Sequence, residues 1–189
     1  MPRAPLVVRE AHLADAPALA VIWAAELRGA DAEQHLADVI AVLERVTGDH
    51  DERILLAEID GEPVGGILLR LTPVSPLNLD EVVHAFAPSV LPAHRRRGVG
   101  RALMDAAVGF AEERGVGYVG SVALSTSREG NRFLARLALA PQATLRIAAT
   151  PAVRAKLTAQ LPRARRGHGT TRPLGQVLAA RRSMRRPAP

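Results

Sequence analysis

The sequence of 189 residues lacks cysteine altogether, which excludes disulfide bonds, thiolate metal ligands and cysteine nucleophiles. It also lacks any run of about 18 uncharged apolar residues, so we expect no membrane-spanning helix. The first residues, MPRAPLVVREAHLAD, contain no long apolar stretch, so we expect no signal peptide and a cytoplasmic location. We expect no bound metal. The spacing between His12, His35, His50 and His168 does not match that of known metal-binding motifs.

Acidic residues are absent from the last third of the chain. All 19 lie at or before Glu129, so residues 1–129 carry 12 basic against 19 acidic side chains, a net charge of −7. Residues 130–189 carry 13 basic side chains and no acid, a net charge of +13. Such a tail is either a solvated extension or a segment that meets nucleic acid, anionic lipid or an acidic partner. No aromatic residue for base stacking follows Phe133, which favours the solvated extension and leaves nucleic acid as the alternative.

The spacing of apolar residues predicts strands and helices in alternation. A short valine-rich strand is followed by two helices, which begin at the capping residues Asp15 and Asp31. Two strands then flank Asp60-Gly61, a strong hairpin signal. The remaining predicted elements are a strand over 81–91 with an irregularity at Pro88, a helix over 98–114, a strand over 118–124, a helix over 132–139 and a strand over 143–150.

This order predicts the α/β class, with a mixed, mostly antiparallel sheet flanked by helices. We assign residues 1–150 to one domain and residues 151–189 to a basic C-terminal extension rich in arginine and proline. Within the extension, residues 162–173 have the composition of a linker, and residues 174–186 could form a short basic helix.

The stretch HRRRGVGRALM, residues 94–104, places arginines beside glycines where a helix begins. The first turn of a helix leaves about four backbone N–H groups unpaired, and glycine lets an anion approach them. The stretch is therefore either an anion site or a glycine-containing turn with solvated arginines. The other glycine-rich motif, GVGYVG at 115–120, follows a helix and leads into a strand, which is the reverse of a dinucleotide-binding loop.

At this stretch the sequence resembles the Gcn5-related N-acetyltransferase (GNAT) superfamily. The family's signature, Arg/Gln-x-x-Gly-x-Gly/Ala after a strand ending in Val-x-Pro, stands here as Val90-Leu91-Pro92 followed by residues 95–100. The resemblance covers about residues 5–150. It implies the acyl-CoA N-acyltransferase fold and transfer of an acetyl group from acetyl-CoA to a small-molecule or peptidyl primary amine, by direct attack in a ternary complex.

The resemblance also implies where the coenzyme would bind. A V-shaped opening would separate the strand ending near Leu91 from the strand around 119–124, and pantetheine would lie there. A backbone N–H near Val90 would polarise the thioester carbonyl. The expected coenzyme-binding residues are Val90, Leu91, Arg95, Arg96, Arg97, Gly98, Val99, Gly100 and Arg101.

Two departures from the family pattern are evident. The family often has glycine where this chain has Arg96, and its last helix often carries an Asn and then a Tyr that protonates the leaving thiolate. One alignment places Ser127 and Leu134 at those two positions, and the other places Asn131 and Ala138 there. Because neither supplies a phenol, the leaving thiolate would take its proton from water, from Ser125 or Ser127, or from no group at all. A non-catalytic acyl-CoA-binding regulator therefore remains an alternative to an enzyme.

Two residues on the strand before the signature are candidate general bases. His84 has an ordinary pKa near 6.5, which suits proton transfer at neutral pH, and Glu81 starts the same strand. His94, beside the glycine stretch, is better placed to support the coenzyme. We expect Trp23 to pack in the core, since it lies on the apolar stripe of the first helix. A homodimer is compatible with the sequence.

Overall fold

The computed structural model describes residues 5–24, 31–122, 124 and 127–160. The chain divides into two compact units, residues 1–140 and 141–189. The first unit contains five strands and four helices among its described residues: β1 (Leu6–Glu10), α1 (Ala16–Trp23), α2 (Ala32–Val46), β2 (Glu52–Ile59), β3 (Glu62–Ser75), β4 (Asn78–Val90), α3 (Val99–Glu113), β5 (Val119–Val122) and α4 (Arg128–Arg136).

The five strands form one mixed sheet in the order β1-β2-β3-β4-β5. Each neighbouring pair is antiparallel except β4 and β5, which are parallel. Asp60 and Gly61 join β2 to β3 with φ values of 55° and 80°, the left-handed conformations of a two-residue hairpin. The predicted fold class and hairpin are therefore confirmed.

Helices cover both faces of the sheet. On one face, α3 buries Val99, Leu103 and Phe110 against β3 and β4. On the other face, α1 packs against β3 and β4 and α2 packs against β2, through a second core that includes Leu19 and Trp23. Two adjacent glycines on β3 allow a helix to pack closely against each face of the sheet. A Cβ on Gly65 would lie 2.9 Å from Val99 Cγ1 of α3, and one on Gly66 would lie 2.8 Å from Leu19 Cδ2 of α1.

The second unit differs from its predicted structure. The strand prediction for residues 143–150 is wrong, because residues 140–149 have no regular structure and α5 (Thr150–Gln160) begins where the strand was to end. The alternation of Leu145 and Ile147 suits a strand, but alternation does not supply the neighbouring strand that a ladder requires. The helix was missed because it has only two large apolar residues, Val153 and Leu157, which are too few to define an apolar stripe. The predicted helix over 174–186 lies outside the described residues, and no described helix is long and apolar enough to cross a membrane.

A charged cluster joins β1, β2 and the turn before α1. Arg9 donates from Nη1 and Nη2 to the two Asp15 carboxylate oxygens, both at 2.8 Å, and from Nε to Glu58 Oε1 at 2.9 Å. The Asp15 and Glu58 side chains are only 13% and 17% exposed. The Arg9 hydrogen bonds hold the pKa of Asp15 below its usual range and raise that of Arg9.

We expect Arg9→Ala to lower the free energy of unfolding by about 1–3 kcal/mol, because it leaves two partly buried carboxylates side by side. Urea denaturation at pH 7 measures this. Glu113→Ala, which removes the exposed partner of Arg53, is the control and should change stability by less than about 0.5 kcal/mol. Equal effects of the two substitutions would contradict the assignment of Arg9 as a structural residue.

Helix α4 ends with an alanine in an unusual conformation. The Leu139 N–H donates to Leu134 O at 3.1 Å, and Ala138 has a φ of 62°. This is a Schellman arrangement in which alanine occupies the left-handed position that glycine usually fills.

Ala138→Gly should therefore raise the free energy of unfolding by about 0.5–1 kcal/mol, since glycine adopts positive φ without steric cost. Thermal and urea denaturation measure the change. Ala135→Gly, one turn earlier in the helix, should instead destabilise by about 0.5–1 kcal/mol. A loss of stability in the Ala138→Gly variant would contradict the interpretation.

Candidate functional site

The parallel strands β4 and β5 pair over only four residues. Their register runs from Val83 opposite Val119 to Phe86 opposite Val122. Beyond Phe86, β4 continues to Val90 beside β3, with no partner on its other edge among the described residues. The sheet is therefore unpaired along this edge, and the glycine stretch of residues 94–104 follows directly after it.

A bulge lies where β4 loses its partner. Phe86 is opposite Leu68 and Ser89 is opposite Gly66, so two residues of β4 face one residue of β3. The two residues are Ala87, whose φ is 46°, and Pro88, so the irregularity predicted at Pro88 is confirmed.

The bulge reverses the direction in which the later peptide groups of β4 point. Before it, the Val83 N–H donates to Tyr118 O, just before β5; after it, the Leu91 N–H donates back to Val64 O of β3. Without the bulge, these two odd-numbered residues would face the same neighbour, since peptide groups alternate along a strand. The Val90 peptide group consequently faces the unpaired edge, where its carbonyl accepts from Arg95 Nε at 3.3 Å.

The start of α3 leaves a row of backbone donors without partners. The first N–H bonded within the helix is that of Ala102, which donates to Gly98 O at 3.0 Å. Among the described residues, the six N–H groups from Arg96 to Arg101 have no protein acceptor. The chain reaches this geometry through left-handed conformations at Arg96 and Gly98, with φ values of 60° and 92°. Successive unpaired N–H groups at a helix N-terminus form an anion-binding site.

The arginines of the loop differ in how they are engaged. Arg95 Nη1 lies 3.1 Å from Glu129 of α4, and Arg97 Nη1 lies 3.4 Å from His94 Nδ1. Arg96 and Arg101 are exposed and form no ion pair within the described part of the chain. These two guanidinium groups are therefore available to an anion. The left-handed φ of Arg96 also explains why glycine is common at this position in the family that the sequence resembles.

The two candidate bases occupy different parts of β4. His84 lies opposite Gly120 in the last paired stretch, two residues before the pairing ends, with its Nδ1 buried and without a hydrogen-bond partner. Burial lowers the pKa of His84, so the neutral imidazole predominates at pH 7. Glu81 is exposed and lies opposite Pro73 of β3. It precedes Val90 by nine residues, which at about 3.3 Å per residue is roughly 30 Å along the strand. The structure thus brings His84, and not Glu81, near the unpaired edge.

The last helix of the first unit supplies no phenol. Ser127 caps α4 by accepting from the Gly130 N–H at 3.2 Å, and Asn131 Nδ2 donates to Ser127 O and Leu124 O. Leu134 is 7% exposed and packs in the core, while Tyr118 lies before β5 and is 65% exposed. Ser125 lies outside the described residues. In the described part of the chain, no three or more histidine and carboxylate side chains come together as a metal site.

Sequence reasoning missed one contact at this edge. The Trp23 Nε1 donates to the Ala87 carbonyl at 2.9 Å. The prediction that Trp23 packs in the core is confirmed, since the residue is 6% exposed. A buried indole N–H needs an acceptor, which was the available signal, but the sequence could not identify which carbonyl it is.

Known proteins resemble this chain in fold and in sequence. The model of the Acetyltransferase (GNAT) family matches residues 17–140, more than half of the chain. The aminoglycoside N-acetyltransferase AAC(6′)-Iy in complex with CoA is 18% identical with a TM-score of 0.65, covering 79% of this chain and 98% of the other. No curated protein sequence matches significantly.

Two further solved structures show the same fold. A GCN5-related N-acetyltransferase from Ralstonia eutropha JMP134 is 25% identical with a TM-score of 0.61, covering 77% of this chain and 99% of its own. A transcriptional regulator from Bacillus halodurans C-125 is 20% identical with a TM-score of 0.67, covering 77% of this chain and all of its own. From the family match, together with the unpaired edge of β4 and the unpaired N–H groups at the start of α3, we conclude that this chain belongs to the GNAT family of acetyltransferases.

Proposed function

We propose that this protein transfers an acetyl group from acetyl-CoA to a primary amine, by direct attack of the amine on the thioester in a ternary complex. The observation that carries the proposal is the row of six unpaired N–H groups from Arg96 to Arg101, which lies next to the outward-facing peptide group of Val90. A diphosphate fits the first feature and a thioester carbonyl fits the second. Both binding features consist of backbone groups, so neither depends on the position of a flexible side chain.

The residues would divide the work of binding as follows. The N–H groups from Arg96 to Arg101 hold the pyrophosphate, with the Arg96 and Arg101 guanidinium groups adding charge. The pantetheine arm runs along Val90, because the Leu91 N–H and C=O are already bonded to Val64 O and the His94 N–H. Arg95 is held by Glu129 and orients the loop from outside the anion site.

The chemistry needs only positioning and proton removal. The amine nitrogen attacks the carbonyl carbon, the Val90 N–H stabilises the oxyanion, and the C–S bond then breaks to release coenzyme A as thiolate. His84, kept neutral by burial, lies about 20 Å before Val90 at about 3.3 Å per residue, so it accepts the proton that the amine loses through a chain of water molecules. The described residues offer no phenol near α4, so the thiolate takes its proton from water. Glu81 is too far along β4 to take part in this step.

The acceptor is best described as a cationic amine. Residues 1–129 carry a net charge of −7, which attracts a small-molecule or peptidyl ammonium group. The related AAC(6′)-Iy is an aminoglycoside N-acetyltransferase, a class of enzyme with acceptors rich in amines. A non-catalytic acyl-CoA-binding regulator is the second candidate, favoured by the burial of Leu134 where the family often has tyrosine.

The two candidates are separated by binding and turnover measured on one preparation. Isothermal titration with acetyl-CoA is expected to show binding at one site, and a thiol-release assay over a panel of aminoglycosides, polyamines and peptide N-termini is expected to show amine-dependent release. Binding without release over the whole panel would favour the regulator. Absence of binding at millimolar acetyl-CoA would reject both candidates.

A further inference from the structure

Trp23 connects helix α1 to the bulge of β4. It lies at the C-terminal end of α1, 64 residues before Ala87 in the chain, and donates from Nε1 to the Ala87 carbonyl at 2.9 Å. Its ring rests on β3, with Cζ2 3.6 Å from where a Gly66 Cβ would lie. The residue is 6% exposed, so packing fixes the indole in place.

The carbonyl that Trp23 binds belongs to the residue that makes the bulge. Ala87 has a φ of 46°, a left-handed conformation that is costly for a residue with a Cβ. It also falls out of register with β3. A half-buried carbonyl that no longer pairs with a neighbouring strand is stabilised by a donor that reaches it. In the bulged conformation, the Ala87 carbonyl lies 2.9 Å from the indole nitrogen.

The bulge in turn decides where the Val90 N–H points. In a regular strand, the peptide N–H of Val90 would point towards β3, as those of His84 and Phe86 do before the bulge. Because of the bulge, it points towards the unpaired edge. The side chains give independent evidence of the reversal, since Val83 and Ala85 pack with α3 and so does the even-numbered Val90.

We propose that Trp23 is a positioning residue for thioester activation: its indole N–H holds the β4 bulge and thereby directs the Val90 N–H at the thioester carbonyl. This inference rests on the proposed function, because it assigns a role in the same acetyl-transfer site. Trp23 does not contact the diphosphate donors at the start of α3, so its loss should affect turnover and not coenzyme affinity.

The test removes the indole N–H and keeps the shape of the side chain. Benzothienylalanine at position 23 replaces the N–H by sulfur, and we expect kcat to fall about tenfold while KM for acetyl-CoA stays within about twofold. Trp23→Phe should give the same split. Incorporation of 5-fluorotryptophan, which keeps the N–H, should restore the wild-type kcat.

A matched control separates positioning from packing. Leu19 lies on the same helix as Trp23 and also packs near Gly66 of β3. The Leu19→Ala substitution removes this packing but breaks no hydrogen bond to the bulge. It should lower the melting temperature at least as much as Trp23→Phe and leave kcat within about twofold, when both are assayed well below their melting temperatures. A wild-type kcat with benzothienylalanine would overturn the inference.

A readout without turnover keeps this inference distinct from the proposed function. Acetyl-CoA should shift the Val90 amide NMR signal in the wild-type protein and should fail to do so in Trp23→Phe, although both bind the coenzyme. Trp23 is the only tryptophan, so its single indole N–H signal reports directly on the bond to Ala87. If the wild-type protein turns over no amine, the proposed function fails. If the Val90 signal responds equally in both proteins, this inference fails.

Discussion

Gly98→Trp is expected to weaken acetyl-CoA binding by at least about 100-fold, equivalent to about 2.7 kcal/mol. Gly98 precedes α3 with a φ of 92°, and nothing lies within 4 Å of the position where its Cβ would be. Because a Cβ there has open space around it, we expect a large side chain to extend into the space in front of the unpaired N–H groups. Isothermal titration with acetyl-CoA measures the loss, and thermal denaturation verifies that the variant folds.

Gly48→Trp provides the matched control. Gly48 follows α2 with a φ of 81° and likewise has nothing within 4 Å of its Cβ position. Both substitutions therefore force a bulky side chain into a left-handed conformation, at a cost of about 1–2 kcal/mol. Only Gly98→Trp should affect the coenzyme. Equal affinities in the two variants would mean that the start of α3 does not hold the diphosphate.

His84→Gln is expected to lower kcat/KM about 100-fold at pH 7, because it removes the group proposed to take the amine proton. In the wild-type protein, kcat/KM should rise with pH along a limb centred below pH 6.5, since burial lowers the pKa of His84 from that value. The imidazole accepts a proton only when neutral, so activity is lost as the pH falls through its folded-state pKa. The variant should lack this limb.

His50→Gln is the control for that experiment, since His50 is exposed in the turn before β2. The His50→Gln variant should retain the wild-type kcat/KM and its decrease at acidic pH. Stability gives a second readout of His84. Between its folded-state pKa and 6.5 the unfolded chain binds more protons, so the free energy of unfolding should fall as the pH drops through this window. An unchanged pH–rate profile in His84→Gln would reject His84 as the base.

Much of the fold follows from local signals in the sequence. The Asp60-Gly61 hairpin and the Asp31 cap, which accepts from the Gln34 N–H at 2.8 Å, form as the residue types require. The strand predicted over 143–150 fails for the opposite reason, since a strand exists only beside a partner that the alternation of side chains cannot specify.

Some features of the candidate site were likewise predictable from local sequence, and others were not. The positions of Gly98 and the arginines around it were predictable, because an unpaired helix start and a glycine with positive φ are properties of a short segment. The different roles of Arg95 and Arg96 were not predictable, because they depend on whether Glu129 of α4 lies within reach.

The sequence by itself determined the order of the elements of the first unit, the bulge near Pro88 and the glycine- and arginine-rich start of α3, since backbone preferences over a few residues encode each of them. Only the tertiary structure decided that the Val90 peptide group faces the unpaired edge, that Trp23 holds the Ala87 carbonyl and that His84 is buried enough to stay neutral. These features join residues that are far apart in the chain, and their geometry is fixed by strand register and packing, which no short segment contains.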